Sequence, residues 1–217
     1  IDAILFDLDG TLVETDDDAV EGLARRLTPV RWLVPRRDTQ RAARGILMAC
    51  EGPCNSILTL LDRVGLDDNA LDLGDRLRSL RGLHTPINFR PVDGIIETLH
   101  DLGRRYHLAI VTTRSREHAE KFLAQQDLAD LIQVIVGRED TWRLKPHPSP
   151  ILAASEKLGV PVERCLMVGD TRVDIWAARA SGARSVGVLC GFGSEQELEK
   201  AGADRILSVT SELMDWM

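Results

Sequence analysis

No stretch of this 217-residue chain approaches the roughly 20 apolar residues that a membrane-crossing helix needs, so no membrane association is expected. A basic excess is also missing. The 27 Lys and Arg stand against 34 Asp and Glu, a formal charge of −7, which argues against a nucleic-acid-binding surface. An anionic substrate must therefore be drawn in by a local positive site or by a metal. Cysteine is sparse. Cys165 and Cys190 lie in apolar runs and read as small core residues. Cys50 and Cys54 flank Glu51-Gly52-Pro53, but no second Cys or His pair completes a zinc set. Free thiols are the default in a cytoplasmic protein, and residues 1–6 read as a strand rather than as a charged and then apolar leader. A cytoplasmic location is the expectation. There is no Gly-rich stretch ending in Lys-Ser or Lys-Thr, hence no sign of a P-loop. Gly191-Phe192-Gly193 follows a strand and resembles the start of a dinucleotide site, but Gln196 stands where the third Gly is needed for close helix packing, so that reading is rejected. No internal repeat and no low-complexity tract interrupt the chain.

What is present is an ordinary globular composition, 44% hydrophobic and 28% charged, long enough for one or two domains. Apolar, strand-like runs recur at 2–7, 107–112, 131–136, 164–169 and 185–189, with a weaker one near 204–208. Helical spacing fills 91–104, 115–126, 149–159 and 171–182, with Ser115 as a start signal and Gly159 as a stop. Strands alternating with helices predict right-handed βαβ units on a parallel sheet. From about 15 to 88 the alternation stops, and the pattern is helical only (17–28, 38–50, 54–64, 68–82). That is too long for a loop in a compact domain. The expected architecture is α/β: a Rossmann-like core from residues 1–14 and 90–217, with an inserted all-helical cap at 15–89. Hinges are expected at 14–16 and 88–91, where the chain crosses between the two.

The chemistry-bearing residues cluster at predicted strand ends. Asp7-Leu8-Asp9-Gly10-Thr11 follows Ala3-Ile4-Leu5-Phe6, and ligands of open α/β sheets gather at carboxyl ends of strands. In an extended backbone Asp7 and Asp9 share a face. Two like charges so close need a cation or a shared proton, which predicts a bound divalent metal. The alternative is an acidic turn. Thr112 ends a second apolar strand. Lys145 precedes Pro146 and a helix. Asp170 ends the strand Cys165-Leu166-Met167-Val168, and Asp174 lies one helical turn later, able to face the same way. Taken singly, Thr112 reads as a β-branched strand residue, Lys145 as a solvent-facing loop lysine and Asp170 as a helix N-cap.

Taken in order, Asp7-x-Asp9-Gly10-Thr11, Thr112, Lys145-Pro146 and Gly169-Asp170-x-x-x-Asp174 resemble the four motifs of the haloacid dehalogenase-like (HAD) hydrolase superfamily. The nearest likeness is to its phosphoglycolate phosphatase and β-phosphoglucomutase branch, where a helical cap separates the first two motifs. The resemblance implies Mg²⁺ held by Asp7, Asp170 and the backbone carbonyl of Asp9, with Asp174 orienting the metal's water shell. It implies Asp7 as a nucleophile that forms an aspartyl-phosphate and Asp9 as its general acid and then base. Lys145 and Thr112 would stabilise the transferring phosphoryl group. An acid at position 9 argues against the dehalogenase and phosphonatase branches, which lack it. Thr113 and Arg114 stand where relatives often carry Asn and a small or basic residue. Both are candidate substrate contacts, although Arg114 reads more simply as solvated. Trp142-Arg143-Leu144 is bulkier than the approach to the lysine in relatives.

Within the predicted cap, Arg31, Arg36, Arg37, Arg41 and Arg44 read as a solvated basic face, with a substrate carboxylate as the minority reading for one of them. Gly52-Pro53 matches a turn of related caps, which would bring Cys54, Asn55 and Ser56 to substrate. The expected activity is a Mg²⁺-dependent phosphatase acting on a small-molecule phosphate monoester. A sugar phosphomutase and a catalytically idle ligand-binding protein on the same fold are the alternatives. Substrate identity and oligomeric state are not readable from the sequence.

Overall fold

The computed structural model describes residues 1–14, 25, 28 and 89–217. The chain divides into two compact units, Ile1–Thr15 with Phe89–Met217, and Asp16–Asn88. The expected cap helices, the arginine stretch, Cys50, Cys54, Asn55 and Ser56 lie outside the described residues.

Six parallel strands form the described sheet: β1 (Ala3–Phe6), β2 (His107–Val111), β3 (Val134–Val136), β4 (Cys165–Gly169), β5 (Arg184–Val188) and β6 (Arg205–Leu207), in the order β3-β2-β1-β4-β5-β6. The described helices are α1 (Ile95–Gly103), α2 (Arg116–Gln125), α3 (Ser149–Leu158), α4 (Arg172–Ser181), α5 (Glu195–Ala201) and α6 (Leu213–Trp216). Every predicted strand is found, and β3 is shorter than expected because 131–133 belong to the turn after α2. Helix α5 is not anticipated by the sequence reading: its two buried positions, Leu198 and Ala201, are too few for a helical period to show. It packs through Leu198 and Ala201 on Ile175 of α4.

Alternation along the strands divides the core into two layers. Ile4 and Phe6 of β1, with Leu108, Ile110, Leu166 and Val168, face Leu99 of α1, Phe122 of α2 and Leu213 of α6. Ala3 and Leu5, with Ala109, Val111, Cys165 and Met167, face Ile151 and Ala154 of α3 and Ala177 and Ala178 of α4. Because both sheet faces are covered, the central strands are uniformly apolar. The three-residue edge strands β3 and β6 leave little unpaired backbone.

Strand β1 sits between β2 and β4, with Phe6 opposite both Ile110 and Val168. The chain order reverses direction across the sheet at this strand, which opens a crevice beyond its carboxyl end. Where the chain leaves and re-enters this unit, its two segments are bonded to each other. Glu14 N donates to Arg90 O at 2.8 Å, and Val92 N to Leu12 O at 3.0 Å.

Candidate active site

Asp7, Thr112 and Asp170 each follow the last residue of a strand, and the strands are the neighbours β1, β2 and β4. The fold therefore brings three of the sequence-predicted residues to one rim. The backbone does not stay extended beyond Asp7. It turns at once, with Leu12 N and Val13 N both donating to Leu8 O at 3.0 Å and Gly10 at φ 75°. Asp9 stays close enough for its charge to act on Asp7.

Lys145 is not a solvent-facing lysine. Its side chain is 2% exposed and reaches between Asp7 and Asp174, with Nζ 2.7 Å from Asp7 Oδ1 and 2.6 Å from Asp174 Oδ1. A third bond goes to Val111 O at the end of β2, 2.9 Å away. All three ammonium hydrogens are thereby directed. The loop carrying Lys145 is held by Asp140, which accepts from Gly137 N (2.8 Å), Arg116 Nη2 (2.6 Å) and Lys157 Nζ (3.0 Å). Burial alone would lower the lysine's pKa, but the attraction of Asp174 and Asp7 outweighs it and holds the ammonium well above its ordinary value. For Asp7 the balance differs. Burial pushes its carboxyl up, Lys145 opposes this, and the negative charges of Asp174 and Asp9 add to it, so its pKa is raised to about 7.

Asp174 is fully buried and serves two elements. Its Oδ2 accepts from Thr171 N (3.1 Å) and Thr171 Oγ1 (2.8 Å), a capping box at the start of α4, while Oδ1 takes Lys145. Thr171 is thus the N-cap, not Asp170. Asp170 is free of that duty and is held from the other side, by Phe192 N at 2.7 Å from Oδ2. Carboxylate oxygens of Asp7, Asp170 and Asp174 lie within 4.8 Å of one another, the arrangement needed to share one cation. All are hard oxygen donors, as Mg²⁺ prefers. With all three carboxylates ionised, one ammonium leaves an excess of two negative charges, which one divalent ion would neutralise.

The Gly-Phe-Gly segment rejected as a dinucleotide site has a different use. A Cβ on Gly191 would overlap the Asp170 carboxylate, and one on Gly193 would overlap the Asp170 carbonyl oxygen. Gly10 approaches the same carboxylate beside Gly191. Residues 191–193 thus form a collar that only glycine permits at its first and third positions. Behind it, Cys190 Sγ donates to Gly10 O at 3.3 Å and Thr210 Oγ1 to Thr11 O at 2.6 Å, tying the Asp-Gly-Thr turn to the C-terminal segment. The collar carries a sequence signal, two glycines just beyond a strand end. The Thr210 tie, joining positions 199 residues apart, carries none.

Arg114 departs from its solvated reading. Its side chain is 16% exposed, and it grips Asp9, with Nε 2.8 Å from Oδ2 and Nη2 3.4 Å from Oδ1. Thr112 Oγ1 accepts from Arg114 N at 3.0 Å, which leaves the threonine's own O–H to donate. Thr113 is half-buried in the same loop.

The model of the haloacid dehalogenase-like hydrolase family matches residues 4–188. The chain belongs to that family. It is 29% identical to pyrophosphatase PpaX of Halalkalibacterium halodurans, over 99% of this chain and 96% of the relative. It is 28% identical to a phosphoglycolate phosphatase of Pectobacterium atrosepticum, over 99% of this chain and 91% of the relative. Among solved structures, a hydrolase from Pseudomonas syringae superposes with a TM-score of 0.72 at 28% identity, covering 99% of this chain and 97% of that one. Among the described residues, no helix of this hydrolase-family chain is long and apolar enough to cross a membrane.

Proposed function

We propose that this protein is a Mg²⁺-dependent phosphatase that hydrolyses a small-molecule phosphate monoester through a phosphorylated Asp7, in the manner of a phosphoglycolate phosphatase. One observation carries the reading: Asp7, Asp170 and Asp174 converge around Lys145 at the carboxyl ends of β1 and β4. Asp7 and Asp170 would hold the ion, with the Asp9 carbonyl, and Asp174 would orient its waters. When bound, Mg²⁺ supplies positive charge that offsets repulsion between a dianionic ester and a carboxylate.

The chain's own groups divide the remaining work. Lys145 engages Oδ1 of Asp7, so Oδ2 is the oxygen that attacks phosphorus and forms the acyl-phosphate bond as the P–O bond to the alcohol breaks. Asp9 donates a proton to the departing oxygen, then takes one from the water that hydrolyses the intermediate. The Lys145 ammonium, its hydrogens already engaged, would stabilise the charge that develops on the phosphoryl oxygens through its field, and the Thr112 hydroxyl would donate to one of them. Relatives of near-equal identity are named for a pyrophosphate and for phosphoglycolate, so overall similarity does not choose the leaving group. The phosphate-ester reading rests on the acid at position 9, which an alkoxide leaving group requires.

The test is phosphate release from a panel that includes 2-phosphoglycolate, with and without Mg²⁺. Trapping of the phosphoenzyme with hydroxylamine accompanies it. Mg²⁺-dependent release and a trapped adduct at Asp7 are expected, both lost in Asp7→Asn with its fold intact. A near-wild-type rate in Asp7→Asn refutes the nucleophile. Isomerisation of β-glucose 1-phosphate without free phosphate, given a bisphosphate activator, would make the enzyme a mutase.

A further inference from the structure

Among the described residues, Arg114 is a charged residue in contact with Asp9 that the proposed chemistry leaves without a task. The fold goes to some length to place it. Its N–H donates to Thr112 Oγ1 (3.0 Å) and its carbonyl accepts from Arg138 N (2.9 Å), so its backbone is pinned from two sides. The next residue, Ser115, caps α2 by accepting from His118 N at 3.3 Å. From this fixed base the guanidinium spans 105 positions of sequence to meet both oxygens of Asp9.

The contact is directional. The planar fork of an arginine fits a carboxylate edge-on and sets the plane of that carboxylate, which a lysine does not do. Asp9 needs such a partner. It follows the end of β1, in a tight turn, and its side chain is 33% exposed. Without a partner its carboxylate would sample several rotamers, only some of them facing Asp7. Lys145 performs the corresponding service for Asp7 and Asp174. The two acids proposed for catalysis are thus aimed by two different cations delivered from two different loops.

We infer that Arg114 is a positioning residue for Asp9: it orients the acid/base carboxylate over the phosphoryl group and acts on turnover through Asp9, not through a contact of its own with substrate. This rests on the phosphatase reading above. It predicts that the effect of Arg114 disappears when Asp9 can no longer act.

The experiment is a double-mutant cycle with acetyl phosphate and Mg²⁺. Its leaving group needs no protonation, so Asp9 matters there only as the base of the second step, and the slower turnover left in Asp9→Asn is the reference for the cycle. Arg114→Gln should lower kcat about 10- to 100-fold, the usual cost of losing a partner that orients a reacting group, with KM changed less than about threefold. Arg114→Lys, which keeps the charge but not the fork, should recover part of the loss. In the Asp9→Asn background, Arg114→Gln should cost less than about twofold. An equal loss in both backgrounds overturns the inference, as does an effect confined to KM. Wild-type enzyme that forms no phosphoenzyme overturns the phosphatase reading itself, and with it this role.

Discussion

On the proposed reading, the raised pKa of Asp7 would make Mg²⁺ binding a proton-coupled event. Burial, with the charges of Asp174 and Asp9, pushes its carboxyl up to about 7 against the opposing pull of Lys145, from 3.8 for an ordinary aspartate. A cation at the Asp7, Asp170 and Asp174 cluster must therefore displace a proton whenever the pH lies below about 7. Each pH unit below that value reduces the ionised fraction about tenfold. Between pH 8 and pH 5 the Mg²⁺ dissociation constant should rise about a hundredfold, equivalent to about 2.7 kcal/mol. An ordinary aspartate, already ionised at pH 5, would change it by less than about a tenth. The assay is isothermal titration of ion-free protein with MgCl₂ at pH 5, 6, 7 and 8. Buffers of different ionisation enthalpy count the protons released. About one proton should appear per ion near pH 5–6 and almost none at pH 8. A dissociation constant that moves less than threefold over this range, with no proton release, would refute the argument. Burial and the charges of Asp174 and Asp9 would then not outweigh Lys145.

Two further predictions probe the same cluster. Lys145→Met leaves Asp7 and Asp174 buried without their cation, a change that typically costs about 3–5 kcal/mol. Asp7's folded pKa lies above its unfolded value, so its favourable contribution is present below about pH 4 and is lost as pH rises through about 7. The melting temperature of the variant in EDTA should therefore fall further at pH 8 than at pH 5; a larger deficit at pH 5 would contradict the sign. Gly191→Ala pushes a methyl into the Asp170 carboxylate. Its Mg²⁺-induced rise in melting temperature should shrink, with affinity about tenfold weaker, consistent with an overpacking cost of about 1–3 kcal/mol. An unchanged rise would mean that the collar does not set the position of Asp170.

The fold was legible where local pattern is decisive. The strands β1, β2 and β4 are uniformly apolar because both sheet faces are covered, and such runs stand out against any background. β3, with two of its three residues only partly buried, was placed but not bounded. Helix α5 went unread because two buried residues suffice to dock seven. The site was legible to the extent that it is written at strand ends. Asp7, Thr112 and Asp170 were found because a polar residue ending an apolar run is a local event. Lys145 was found only through its place in an ordered set of motifs, since a lysine before a proline has no local mark of burial.

What remained unread is the matching of partners. Lys145 meets Asp7 across 138 positions and Arg114 meets Asp9 across 105, distances over which neither periodicity nor capping carries information. The sequence does predict the need. Two acids one residue apart demand compensation, and the expectation was a single cation between them. The structure answers with two resident basic residues, one for each acid, and the Asp7, Asp170 and Asp174 cluster still carries an excess of two negative charges once all three are ionised. This division has a physical reason. A single shared cation could not set the planes of both carboxylates, whereas the Arg114 fork meets both oxygens of Asp9 and Lys145 meets Oδ1 of Asp7. The acids still sense each other, because the Asp9 charge helps to raise Asp7 and Arg114 offsets that charge; an Arg114→Gln variant should therefore carry proton release on Mg²⁺ binding to a slightly higher pH, and a shift to lower pH would contradict this coupling.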